Sequence, residues 1–213
     1  MTATDACVFP YPEGDSSVTR MALEAGELGF DSIVAICPNG GEYFHVRVIP
    51  GVILREPFPR QVRKRNREDE GRDELSIVEV GEGGFFSRSF LNVPGVSIIR
   101  RLDRAKNHSF DHVAARIAAD RGIAVDFDLS RLVQLRGGQR QRVIARFSEI
   151  LRLQRRYEFA FTISSGAKSI LEQRTVRELT GLCSLFGMGP EESHSALSAV
   201  TGLLAPREPV RVV

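Results

Sequence analysis

Short strand-like runs and helical apolar stripes take turns along almost the whole chain, and this alternation constrains the fold more than any single motif. Ala6 to Phe9 is short and apolar. Val18, Met21, Ala22, Ala25 and Leu28 then recur at three- and four-residue spacing, which predicts a helix. Asp15-Ser16-Ser17 supplies its N-cap and Gly29 its stop. Strand patterns follow at Ser32–Cys37 and at Phe44–Leu54, the second interrupted by Pro50-Gly51, with a Pro38-Asn39-Gly40-Gly41 turn between them. Ser76–Val80, Val96–Ile99, Ile123–Leu129 and Phe159–Ile163 read as further strands. A short helix is predicted over Phe85–Leu91. A stripe of Phe110, Val113, Ala114, Ile117 and Ala118, closed by Gly122, marks another. Gln139–Tyr157 is a long helix whose apolar face is Val143, Phe147, Ile150 and Leu151. Two helices finish the pattern, Thr175–Phe186 and one starting at Pro190 with Glu191 and Glu192 in its first turn.

A strand–helix repeat makes successive strands parallel and covers the sheet with helices. About seven strand patterns favour an α/β, TIM-like (β/α) barrel over a doubly wound sheet. No G-x-G-x-x-G follows a strand, so a dinucleotide site has no support. At 213 residues, one domain over 1–204 is expected, with 205–213 as a loose tail. In such barrels function gathers just after the strands. Pro38–Gly41, Gly81–Gly84, Arg100–Lys106, Leu129–Arg131 and Ser164–Ser169 therefore carry the most weight.

No apolar run approaches the ~20 residues of a membrane span. Met1-Thr2-Ala3-Thr4-Asp5 has no basic stretch leading into an apolar one, which predicts a cytoplasmic protein without a signal peptide. The three cysteines, Cys7, Cys37 and Cys183, lie far apart in apolar stretches and read as small buried hydrophobes.

Local motifs exclude several chemistries. Gly166-Ala167-Lys168-Ser169 resembles the end of a phosphate-binding loop, but Ala separates the glycine from the lysine. His108 and His112 have the spacing of a zinc-binding helix, yet Ser109 stands where the general base belongs. His45 and His194 bring no evident carboxylate partners. Asp126 and Asp128 alternate on one strand and share a face, as paired acids or metal ligands do, although Asp128 equally suits capping of Leu129-Ser130-Arg131.

Net charge is +2, but the charges are segregated. Arginines 131, 136, 140, 142, 146, 152, 155 and 156 face one acid in that segment, Glu149. Arg100–Lys106 holds four basic residues against Asp103. Arg60–Glu74, by contrast, mixes six basic residues with five acids and reads as a solvated loop or short helix. Segregated arginine points to a polyanion. With no Trp and three Tyr, base stacking along single strands is less suited than recognition of structured RNA by backbone and shape.

Phe161-Thr-Ile-Ser-Ser-Gly-Ala-Lys168, then Arg174, then RELTGLCSLFGMGPEESHSALS from Arg177 resemble the ribonuclease P protein component 3 family. FDHVAARIAADRGIAVDFDLS from Phe110 and ALEAGELGFDSIVAI from Ala22 are similar to further units of it, and the resemblance spans about residues 4–202. It implies a barrel related to the PHP phosphoesterases. Where those enzymes carry Asp-x-His-x-His on the first strand, this chain has Asp5, Cys7 and Phe9. Where they carry a late Asp-x-His, it has Gly166 and Lys168, which implies a cation in place of a metal-bound histidine.

The resemblance therefore implies a protein that binds ribonuclease P RNA and takes part in removing the 5′ leader of precursor tRNA. The RNA performs the Mg²⁺-dependent cleavage, and the protein itself binds no cofactor or metal and has no catalytic residues of its own. Component 2 and the other protein subunits are the implied partners. The expected phosphate contacts are Arg100, Arg101, Arg104, Lys106, Arg131, Lys168 and Arg174, with Arg136 and Arg140 beside them. Arg174 equally suits pairing with Glu172 or Glu178. The alternative is a stand-alone metal-dependent PHP-type phosphoesterase built on Asp5, Asp126, Asp128, His108 and His112.

Overall fold

The structure, a computed structural model, describes residues 2–55, 74–81, 84, 86–93, 95–106 and 109–204. The charge run of 60–73, Gly83, Phe85, His108 and the 205–213 tail lie outside the described residues. One sheet contains β1 (Thr4–Val8), β2 (Ser32–Ile36), β3 (Gly41–Tyr43), β4 (Val46–Leu54), β5 (Leu75–Glu79), β6 (Val96–Arg100), β7 (Ala124–Asp128) and β8 (Phe161–Ser164). The order is β1-β2-β4-β5-β6-β7-β8 with every neighbouring pair parallel, and β3 pairs antiparallel with β4. The seven parallel strands make a nearly closed, TIM-like barrel, as the alternation predicts.

Between β8 and β1 the ring is completed by loop hydrogen bonds. Gly166 N donates to the Cys7 carbonyl at 3.1 Å, and Phe9 N to the Ala167 carbonyl at 2.7 Å. The outer helices are α1 (Val18–Glu27), α2 (His112–Asp120), α3 (Ser130–Gln134), α4 (Gly137–Tyr157), α5 (Val176–Cys183) and α6 (Pro190–Leu203). Helix α6 packs on both β8 and β1. Among the described residues no helix is long and apolar enough to cross a membrane.

Strand pleat divides the apolar residues into two clusters. Leu75, Ile77, Ile98 and Ala124 join Phe9, Val34, Ile49 and Val200 of α6 inside the barrel. Val78, Ile99, Val125 and Phe127 face outward, where Phe127 stacks on Phe186 and meets Phe147 of α4 edge-on. Ser17 caps α1 by accepting from Arg20 N, as expected.

Several local readings need correction. Phe44 and His45 are not strand but a left-handed turn, φ 52° and 65°, joining β3 to β4. Pro50 does not interrupt β4. On one side β4 pairs with β3 up to Val48 and with β5 from Gly51, so Pro50 sits at the seam, where a missing N–H costs no ladder bond. The 85–91 helix is a 3₁₀ turn at Arg88–Asn92, and the 175–186 helix is α5 followed by a 3₁₀ turn at Ser184–Phe186.

Candidate functional site

At the strand C-termini the barrel interior changes from apolar to charged. Asp5 and Cys7 of β1, Glu79 of β5, Arg100 of β6, Asp126 and Asp128 of β7 and Thr162 and Ser164 of β8 are all buried. Arg100 lies at the centre with no exposed surface. Its Nη2 donates to Asp128 Oδ2 at 2.6 Å and its Nη1 to Cys7 Sγ at 3.0 Å. Glu79 Oε2 is 3.6 Å from Nη1, and Asp126 Oδ2 is 3.8 Å from Nε. The Phe9 ring lies beneath, its centre 5.0 Å from the guanidinium carbon.

Each acid has further anchors. Thr162 and Ser164 hydroxyls donate to the two oxygens of Asp126 at 3.0 and 2.6 Å. Ser130 donates through N and Oγ to Asp128 Oδ1, so Asp128 holds the first residue of α3 and Arg100 at once, while Leu129 takes the N-cap position. Ser165 N donates to Asp5 Oδ1. Gly166, φ +61°, is required here: a Cβ on it would stand 2.6 Å from Asp128 Oδ1. The small-residue run after β8 is therefore a close-packed wall of the acid cluster.

Burial pushes the Asp126 carboxyl up to about 7 and the Asp5 carboxyl up to about 6. Burial acts on Asp128 too, but Arg100 and Arg101 outweigh it and hold that carboxyl below the usual range. Burial disfavours the Arg100 charge, yet Cys7, Asp128, Asp126 and Glu79 hold it above the ordinary arginine range. The interior thus keeps a guanidinium and ionised Asp128 together.

Above this layer a cationic rim forms on the loops after β6 and β7. Arg101, in a left-handed conformation with φ 60°, reaches Asp128 at 3.1 Å and Glu79 at 3.5 Å. Arg131, from α3, pairs with Asp103 at 3.1 Å. Burial, and after it the neighbouring guanidiniums of Arg101 and Arg131, lower Arg104 below the usual arginine range. Three guanidiniums therefore share one patch. Lys106 follows as an exposed residue, its N–H anchored on the Gly84 carbonyl.

The remaining predicted positions divide. Arg136 is exposed at the N-cap of α4, and Arg140 one turn on is half-buried. Lys168 is exposed, with Nζ 5.7 Å from the centre of the Phe9 ring. Arg174 donates to the Leu171 and Gln173 carbonyls and so fixes its own loop through backbone, while the Thr175 hydrogen bonds and, after them, the Arg174 charge hold the Glu178 carboxyl below the usual range. It lines a cavity of about 120 Å³ with Ser130, Val133 and Gln134 of α3, which puts Arg174 beside the β7 end.

Four expectations are overturned. Arg100 is not placed to touch a phosphate, because it is wholly inside the barrel. The cation among the acids is Arg100, not Lys168. The arginines of 131–156 are not a uniform unpaired set: Arg131 takes Asp103, Arg146 is buried and takes Glu149, and Arg155 takes Glu192 with bonds of 2.7 and 2.8 Å. Cys37 is only half-buried, donating to the Asn39 carbonyl, and Cys7 belongs to the polar layer.

The phosphoesterase alternative is not favoured. His112 is exposed at the start of α2, and Asp126 and Asp128 are engaged with Arg100. Among the described residues no group of three or more His, Cys, Asp or Glu is arranged to hold a metal ion. Glu79 and Asp103 were missed by the sequence reading. The signal for Glu79 was an acid ending an otherwise apolar strand; Asp103 gave none beyond its basic surroundings.

Fold and site together define a TIM-like barrel whose strand-end interior is filled by its own ion pairs and whose rim is cationic. The family model for RNase P subunit p30 matches residues 87–208, more than half the chain. Ribonuclease P protein component 3 of Methanococcoides burtonii is 32% identical over 206 residues, covering 91% of this chain and 83% of that protein. Its counterpart in Methanosarcina barkeri is 26% identical over 208 residues, covering 92% and 85%. A chain from the cryo-EM structure of archaeal ribonuclease P with mature tRNA shares the fold, with a TM-score of 0.73, 17% identity and coverage of 94% and 89%. The chain belongs to the ribonuclease P subunit p30 family, that of ribonuclease P protein component 3.

Proposed function

We propose that the chain binds ribonuclease P RNA as a protein subunit and supports 5′-leader removal from precursor tRNA. The RNA carries the Mg²⁺-dependent cleavage, and the protein supplies no cofactor. The observation that carries this reading is that Arg131 reaches Asp103 at 3.1 Å in the turn that also holds Arg101 and Arg104, which gathers the three guanidiniums on one rim. Guanidinium groups suit bidentate contact with phosphate. Lys106 and Arg136 extend that surface, with Arg140 on the next turn of α4. Lys168 and Arg174 flank it on the β8 side. Asp103 and Asp128 hold the planes of Arg131 and Arg101, which lowers the ordering cost of a phosphate contact.

The family relationship and the shared fold with a chain of a tRNA-bound archaeal assembly support RNA and tRNA as partners; component 2 and further subunits, working in the cytoplasm, complete the proposal. The test is reconstitution. The full chain and its component 2 partner are added to ribonuclease P RNA, and precursor-tRNA cleavage is followed at low Mg²⁺. Cleavage should rise in the presence of the chain, and binding should weaken steeply with salt, each removed contact flattening the log–log slope by about 0.7 to 0.9. Salt-independent binding, or no stimulation, would refute the reading.

A further inference from the structure

The PHP phosphoesterases, to which the family's barrel is related, hold divalent metal at the strand ends, and the residues present in this chain do not fit one. A divalent ion of this type needs several oxygen ligands at roughly 2.0–2.6 Å from one point. Here the point on which the carboxylates converge is taken by a guanidinium. Asp128 touches it at 2.6 Å, and Glu79 and Asp126 approach at 3.6 and 3.8 Å. Asp5 Oδ2 and Glu79 Oε2 are buried oxygens without a hydrogen-bond donor. Cys7 and Phe9 close the β1 side, by a hydrogen bond to Sγ and by the ring beneath the guanidinium.

We propose that Arg100 is an internal cation that takes a divalent ion's place among Asp5, Glu79, Asp126 and Asp128 and closes those carboxylates to metal. Carboxylates gathered in a dry barrel interior repel one another, and a central positive charge offsets that repulsion. A metal does so through exchangeable bonds and leaves positions open for water or substrate. A guanidinium does so with fixed donors and leaves none. Asp5 Oδ2 and Glu79 Oε2, which accept no hydrogen bond, are the atoms a smaller cation would draw in once the arginine is gone.

The test uses the full chain without RNA, so its result is separate from that of the RNA-binding reading. Mn²⁺ binding is followed by loss of the free-ion electron paramagnetic resonance signal, and stability by thermal melting. The wild type should leave the Mn²⁺ signal and its Tm unchanged. Arg100→Ala should melt lower, bind Mn²⁺, and regain on the order of 5 °C or more at a hundredfold excess over its dissociation constant. Arg100→Ala combined with Asp126→Asn and Asp128→Asn should lose that response. If Arg100→Ala folds poorly, refolding with Mn²⁺ present should recover soluble protein where refolding without it does not. An Arg100→Ala chain neither bound nor recovered by Mn²⁺ overturns the proposal. Mn²⁺ binding by the wild type that Asp128→Asn abolishes also overturns it.

Discussion

Arg100 ends β6 with its side chain sealed inside the barrel, while Arg101, one residue on, turns into a left-handed conformation and keeps 16% of its side chain exposed. Both reach Asp128 and Glu79. One neutralises the acid cluster from within and the other closes it from above. Burial pushes Asp5 and Asp126 up to about 6 and 7, whereas Asp128, which both guanidiniums touch, is held below the usual carboxylate range. The cluster consumes its own cations. On the rim, Arg131 pairs with Asp103 and Lys106 is exposed. A basic run in a sequence is therefore not a uniform surface: within Arg100–Lys106 the fold seals Arg100 inside, leaves Arg101 and Arg104 half-buried and exposes Lys106.

The comparison breaks first at Arg100. Arg100→Met leaves buried carboxylates without their partner and should cost about 3–5 kcal/mol in urea denaturation. The same change at Arg101 should cost clearly less, because water reaches that site. Equal losses would mean that interior and rim are not distinct.

The pH dependence sharpens the contrast. Asp126 and Asp5 bind a proton more tightly folded than unfolded, so their contribution is fully present below about pH 4 and is lost as pH rises through about 6 to 7. Asp128 has the opposite sign, its contribution present at neutral pH and lost in acid. Asp126→Asn should accordingly flatten the decline in stability between pH 5 and pH 7.5 followed by thermal melting, whereas Asp128→Asn should remove stability at pH 7. On the rim, Arg104→Ala should leave stability within about 1 kcal/mol and flatten the salt slope of RNA binding by roughly one phosphate contact, about 0.7 to 0.9, in filter-binding titrations. The smallest effect belongs to the far end of α4. The Arg155–Glu192 pair is bidentate but half-exposed, and Glu192→Gln should cost no more than about 1 kcal/mol by the same denaturation.

The parallel barrel was legible because β-branched runs and helical stripes alternate without a break, and the shared face of Asp126 and Asp128 because a strand has a period of two. The same period places Arg100 inside, two residues after the interior Ile98, but its position at the head of a basic run read as surface. Arg131 and Arg155 could not be discounted from local sequence, since Asp103 and Glu192 lie 28 and 37 residues away. Strand β3 was hidden because Phe44 and His45 take left-handed backbone that glycine usually signals. Gly166 was visible as a small residue, but its contact with Asp128 exists only once β7 and β8 are paired.

The central claim is that the rim, and not the interior or the far end of α4, meets the RNA. Ultraviolet crosslinking of the full chain to ribonuclease P RNA, with crosslinked peptides mapped by mass spectrometry, tests it most directly. Crosslinks should concentrate in Arg101–Lys106, Arg131–Arg140 and Lys168–Arg174. Crosslinks spread evenly to Arg152, Arg156 and Arg177, or absent from the rim, would contradict it.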